Sequence, residues 1–436
     1  MIFIIAISVI SLFLCIRSSM DRLSKRILLF YLFFWFIALC LSVSGAQGLH
    51  MPQESTIFIL LGHILAFVIG FNFVKVRRYA FDIRDRLPLF DLQMNKIISS
   101  KIFLVALILS FVYVSSMFAI FFKETMVANS LVDIRNDFYS GEMLGPSFSF
   151  INTYFLIPFH GFLLSIFGYL TFYKRNIVWT LSGIHIIMYS LLSAGRNEFV
   201  NILLIIVFFA ICIGRLASSN QRKNYVVFIL LTIATYSIMG LLTGNRSGIS
   251  KDNSLSEGIE ETNTHVIAYL GGPVVAFDYA LNSDMLKECG GHQFGAMTFA
   301  SIDELIFMGE TIVRKVMGGT PRERAISKIG IYLHDNYIDI GTPWRWNALY
   351  TSCLYYYLDF GLMGVFFLPF VFGIIVRYLI RCIYRYKSVL YIILIAFIFY
   401  ILVNTFQRFF LYRMSQLILL LALYHYGKKS IINKTV

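Results

Sequence analysis

Residues 102–122 read IFLVALILSFVYVSSMFAIFF, an unbroken apolar run without a single charge between Lys101 and Lys123. As a helix this run is about 30 Å long, the thickness of a bilayer's hydrocarbon core. Further runs of this kind lie near 1–16, 27–44, 56–74, 149–172, 177–194, 198–214, 225–243, 361–380, 389–404 and 414–426. Eleven spans are therefore expected. The first run has the length of a signal-peptide core, but no basic stretch precedes it and no small-residue cleavage site follows, so it reads as a span.

The composition agrees. Of the 436 residues, 58% are hydrophobic and 14% charged, with a mean hydropathy of +0.73. An ordinary soluble domain carries about 25% charged residues, so a soluble enzyme is excluded. The net charge of +13 is scattered between the apolar runs and gathers on no single surface, which argues against nucleic acid. Six cysteines show no C-x-x-C pairing, and no disulfide framework or zinc site is implied.

Lysine and arginine concentrate on the cytoplasmic side of membrane proteins. Alternate connections hold 23 of the 37 basic residues, from Arg17 through Lys75, Lys174, Arg215 and Arg377 to Lys434. This phase puts the N-terminus outside and the C-terminus inside, and it requires an odd number of spans. Residues 45–55 have no Lys or Arg, and residues 244–350 carry 9 basic against 13 acidic residues, so both face outward. The expected organisation is spans 1–8 over residues 1–243, a large outer loop over 244–350, and spans 9–11 over 351–436.

The outer loop is itself expected to be helical. Ser301 and Glu304 have the spacing of a capping box, followed by Ile302, Leu305, Ile306, Ile312, Val313 and Val316 at helical spacing up to Gly318 and Gly319. That pattern predicts an amphipathic helix on the membrane surface. Ser254 with Glu257 offers another start, ending at Gly271 and Gly272, and Pro273 then begins a new helix. His63, His160 and His185 fall within spans and are expected to make helix-to-helix hydrogen bonds.

Arg196, Arg246, Arg345, Arg408 and Arg413 run against the positive-inside trend, each on the outer side within a few residues of an apolar run. A guanidinium there stays charged and grips phosphate oxygens through paired hydrogen bonds. A lipid diphosphate headgroup sits at that depth, although snorkelling to ordinary headgroups is the simpler alternative for any one of them. Residues 341–364, GTPWRWNALYTSCLYYYLDFGLMG, add a dense aromatic segment with Tyr350, and Asp359 where the ninth span begins. A carboxylate there is costly and has a partner or a task, to orient an arginine or to take a proton. For a general base, His334 and Asp335 lie nearest the aromatic segment. No D-x-D, H-E-x-x-H, GxGxxG or P-loop points to a metal, a cofactor or a nucleotide donor.

The strings SAGRNEF at 193–199, AYLGGP at 268–273, and NALYT with YYLDFGLMG at 347–364 resemble the oligosaccharide repeat-unit polymerases (O-antigen polymerases, Wzy-type) of bacterial envelopes. The layout of eleven spans with a large loop before the ninth is similar too. The resemblance implies an inner-membrane enzyme that uses no cofactor. At the periplasmic face it would transfer a growing glycan from undecaprenyl diphosphate to a new lipid-linked repeat unit. It further implies a partner that regulates chain length, diphosphate binding by Arg196 with Arg345 or Arg408, and a site mouth shaped by Asp359 and Tyr350. An O-antigen ligase or another lipid-linked glycosyltransferase is the alternative, and a repeat-unit flippase a more distant one.

Overall fold

A computed structural model describes residues 20–74, 83–127, 145–192, 196–214, 221–246, 254–320, 322–342, 346, 350–409, 411 and 413–432. Among the described residues there are no strands, only a single antiparallel bridge between Ile338 and Trp346. The main helices are α1 (Arg22–Val43), α2 (Glu54–Phe73), α3 (Leu87–Ile98), α4 (Lys101–Val127), α5 (Ile157–Tyr173), α6 (Ile177–Leu192) and α7 (Arg196–Val207). They continue with α8 (Gln221–Arg246), α9 (Ser254–Asn282), α10 (Ala300–Met317), α11 (Ala325–Asp335), α12 (Ser352–Tyr386), α13 (Val389–Val403) and α14 (Met414–Ile432).

Among the described residues, six helical stretches are long and apolar enough to cross a bilayer: Arg22–Val43, Glu54–Phe73, Lys101–Lys123, Asn152–Tyr173, Ser352–Tyr386 and Val389–Phe406. Three more, Ile177–Leu192, Glu198–Cys212 and Asn224–Ile238, are apolar but shorter. The described residues are thus those of an all-α membrane protein, and the expected count of eleven spans is not confirmed. Residues 1–16 lie outside the described set, and α14 is not among the six.

The chain divides into two compact units. One holds Met1–Tyr79, Thr264–Arg381 and Ile401–Leu420; the other holds Ala80–Asn263, Cys382–Tyr400 and Leu421–Val436. In the first unit, α2 and α12 touch through glycines. A Cβ on Gly70 would fall 1.9 Å from the Phe370 carbonyl oxygen, and one on Gly373 would fall 2.4 Å from that of Phe67. Small residues let helix backbones approach this closely, which is how spans associate in a medium as apolar as they are. The same unit ties Trp35 Nε1 to Thr405 Oγ1 at 3.0 Å, and His63 Nδ1 pairs with the Val365 carbonyl at 3.1 Å. At the head of α1, Asp21 caps the Ser24 amide at 3.0 Å and accepts from the buried Arg377 at 2.9 Å.

Two expected helix boundaries shift. Ser301 does not cap α10; the cap position is Phe299, and Glu304 is drawn away to other partners. Nor does α9 stop at Gly271. It runs from Ser254 to Asn282 with Pro273 inside. Proline lacks the N–H that would bond the carbonyl four residues back, which is Tyr269. That carbonyl accepts instead from Gln407 Nε2 at 3.3 Å. Gly271 and Gly272 remain in the helix because they let it pack closely: a Cβ on Gly272 would lie 2.9 Å from Ile340 and 3.0 Å from Trp346. Gln407→Ala should remove this hydrogen bond and lower stability by about 1 kcal/mol, measured as a drop in melting temperature in detergent; an unchanged melt would mean that the bond adds nothing to stability.

Candidate functional site

Within the first unit, the end of α9, the helical turn Met285–Glu288, α11 and the extended segment after it surround a cavity of about 770 Å³. Tyr279, Tyr332 and Tyr337 supply its aromatic walls, and Glu288, Asp335 and Asp339 its carboxylates. Tyr332 and Asp335 are three residues apart on α11, so helical geometry puts both on one face. The segment that follows is locked in place. Ile338 and Trp346 exchange backbone hydrogen bonds at 2.9 and 3.1 Å, and the His50 amide donates to the Ile340 carbonyl at 2.8 Å. The 45–55 connection and this part of the large loop thus lie side by side.

Hydrogen bonds tune the wall. Tyr332 donates its hydroxyl to Glu288. Burial, then that carboxylate, pushes the Tyr332 phenol well above its ordinary range. Cys289 beside it is pushed up to about 11, chiefly by burial and then by Glu288, so it is a thiol and not a thiolate nucleophile at neutral pH. Asp339 is held below its usual value by the Gly341 amide at 2.7 Å and by His50, whose Nε2 lies 3.4 Å away. Tyr350 is buried, and burial raises its phenol pKa. Among the described residues that line the cavity there is no lysine or arginine. Tyrosine faces and carboxylate oxygens suit the apolar faces and hydroxyls of a sugar.

A second polar assembly sits under α10. Arg322 reaches Asp303 at 2.5 Å and Glu310 at 2.8 Å, while Arg324 lies 3.6 Å from Asp303 and 3.5 Å from Glu304. Arg324 also donates to the Ala300 carbonyl at 3.0 Å, and Glu304 accepts the Met414 amide at 2.7 Å. The charged face of α10 is thereby turned inward. Its apolar face points outward, with Ile312, Val316 and Met317 exposed. Water does not favour that arrangement; lipid does.

Asp359 is fully buried near the start of α12. Its two oxygens accept the backbone amides of Met297 at 3.0 Å and Thr298 at 2.6 Å, pinning the 293–299 loop to α12. Helical geometry breaks at the next two residues, Phe360 and Gly361, and Gly361 adopts φ 61°, ψ −154°, a region essentially reserved for glycine.

Of the other expected site residues, Asp335 lines the cavity and Tyr350 belongs to the same unit. His334 precedes Asp335 on α11, with its side chain outside the described set. Arg408 and Arg413 are half-buried and flank the turn before α14, where the Arg408 amide bonds the Asn404 carbonyl at 3.0 Å. Arg196 opens α7 and Arg246 closes α8, with side chains outside the described set, and Arg345 lies outside it altogether. Sequence reading missed Tyr279, Tyr332 and Tyr337 as a group, and with them the paired Arg322 and Arg324. The three-residue spacing of Tyr332 and Asp335 was the available signal. Among the described residues no group of His, Cys, Asp and Glu can hold a metal ion.

The fold and the site define a class: an all-α membrane protein with an acidic, tyrosine-walled cavity in its largest polar segment. Compared with known protein families, curated proteins and solved structures, the chain matches none.

Proposed function

We propose that this protein polymerises lipid-linked oligosaccharide repeat units at the outer face of the bacterial inner membrane. The observation that carries the reading is the cavity bounded by Tyr279, Tyr332, Tyr337, Glu288 and Asp335. It has the size of a small-molecule site and the side chains of a glycan site, and it opens on a membrane protein whose sequence resembles repeat-unit polymerases. In this reading the acceptor sugar occupies the cavity. Asp335, or His334 beside it, takes the proton of the acceptor hydroxyl as that oxygen bonds the anomeric carbon. The bond from that carbon to the undecaprenyl diphosphate breaks, with inversion, and arginines outside the acidic cavity neutralise the departing charge. The sequence resemblance gives that work to Arg196, with Arg345 or Arg408. Asp359 holds the loop in place and Tyr350 belongs to the cavity's buried surroundings. A chain-length regulator is the expected partner.

The test is a gel of lipopolysaccharide from a strain lacking the gene, set against the complemented strain. Core carrying one repeat unit is the expected result. Bare core would instead indicate a ligase or flippase, and an unchanged ladder would overturn the reading for O antigen. Complementation with Asp335→Asn should cut polymer by about 10²–10⁴-fold at normal protein level if Asp335 is the base; a normal ladder would pass that role to His334.

A further inference from the structure

Helices α4 to α7 of the second unit enclose a polar cluster that the proposed activity does not use. Ser110 Oγ of α4 lies 2.7 Å from His185 Nε2 of α6, the helix-to-helix bond the sequence predicts. Four residues along α6, Tyr189 donates its hydroxyl to Asn152 Oδ1 at 2.6 Å. Asn152 begins a π-turn, Asn152–Leu156, that leads into α5. Such turns are rare and occur frequently at functional sites.

His160 of α5 stands among these groups and departs from expectation. It is buried at 6% exposure, its ring 4.5 Å from that of Tyr189 and 6.2 Å from that of His185. Neither of its ring nitrogens makes a hydrogen bond. Nε2 instead faces Glu198 Oε2 at 3.6 Å, too long for a hydrogen bond and within reach of an ion pair. Glu198 lies in the first turn of α7, 34% exposed at its side chain, with Asn201 Nδ2 at 3.4 Å. An imidazole without hydrogen bonds in an apolar bundle is costly, and an ionisable pair there marks a proton or ion path more often than a structural bond.

We propose that His160 and Glu198 form a proton-binding site within the helix bundle, loaded through the partly exposed Glu198. Protonation puts an N–H on both ring nitrogens and a charge on the imidazole, so that Nε2 donates to the carboxylate whichever nitrogen held the first hydrogen. The charge-assisted bond closes to about 2.8 Å. Closing it draws α5 towards α7, whose first residue is Arg196. Proton uptake therefore acts on the helix that carries the leading arginine. Among the described residues, the titratable groups facing His160 are Glu198 from α7 and His185 and Tyr189 from α6; α4 and the π-turn contribute the neutral Ser110 and Asn152. The site does not depend on the polymerase reading, and its test is independent of any gel.

The experiment is a pH titration of the full-length protein, labelled with ¹⁵N-histidine, in lipid nanodiscs from about pH 8 to about pH 5. Among the imidazole signals that titrate, one should vanish in His160→Gln and persist in His185→Gln. In Glu198→Gln its midpoint should fall by ~1–3 pH units, because the neighbouring negative charge is gone. A His160 signal that stays neutral throughout the range, or a midpoint that Glu198→Gln leaves in place, would overturn the proposal. Should Glu198→Gln not reach the membrane, the wild-type titration and His160→Gln decide alone.

Discussion

Asp359→Ala is expected to lose roughly 3 kcal/mol or more of stability, because two charge-assisted hydrogen bonds disappear at once and two backbone amides are left buried. The Met297 and Thr298 amides have no other acceptor in view, and Asp359 itself is fully buried. Two backbone bonds survive the substitution, Gln293 N–H to the Leu358 carbonyl at 2.9 Å and Phe294 N–H to that of Asp359 at 3.3 Å. The loop should therefore loosen and not detach. The measurement is thermal unfolding in detergent together with the level of protein in the membrane. Asp359→Asn, which keeps one acceptor oxygen and turns an NH₂ towards the other amide, should fall between wild type and alanine. A wild-type melt for Asp359→Ala would mean that the carboxylate does not hold the loop.

Arg196→Ala is expected to abolish polymer while the protein stays in the membrane. On the proposed reading, the leaving diphosphate gains negative charge in the transition state, and removing a preorganised donor at such a place typically costs about 10²–10³ in rate. Arg196 is the first residue of α7, where the helix's own N-terminal amides also favour an anion. Arg196→Lys keeps the charge but loses the bidentate grip, so it should recover only part of the ladder. Full-length polymer from Arg196→Ala would remove the diphosphate role from this residue. Loss of the protein from the membrane would make its role structural. The two predictions separate cleanly, since Asp359 is read by melting and Arg196 by product.

Much of the architecture was legible before any coordinates. The 102–122 run became α4, the 56–74 run became α2, and Gly318 ended α10 in a left-handed conformation at φ 77°. These features depend on local chemistry alone: apolar length, and a residue type that tolerates positive φ. The outward apolar stripe of α10 was legible for the same reason, because spacing along a helix fixes its faces. The failures share a cause of the opposite kind. The capping box at Ser301 and Glu304 was locally sound, yet Glu304 bonds Arg324 and the Met414 amide, partners distant in sequence. Pro273 looked like a helix start, but Gln407 supplies the bond that proline forfeits.

The same division runs through the candidate sites. Sequence by itself determined that the chain is built of membrane-crossing helices, and that Asp335 sits in its largest polar segment, because hydropathy and charge are summed along the chain and need no partner. Only the tertiary structure decided what the polar side chains do there. It gave Asp359 two loop amides to hold, gathered Tyr279, Tyr332 and Tyr337 around one cavity, and set His160 against Glu198. Each of those outcomes depends on contacts between residues far apart in the chain. A buried polar group takes whichever partner the packed helices bring within about 3 Å, and no local pattern encodes that.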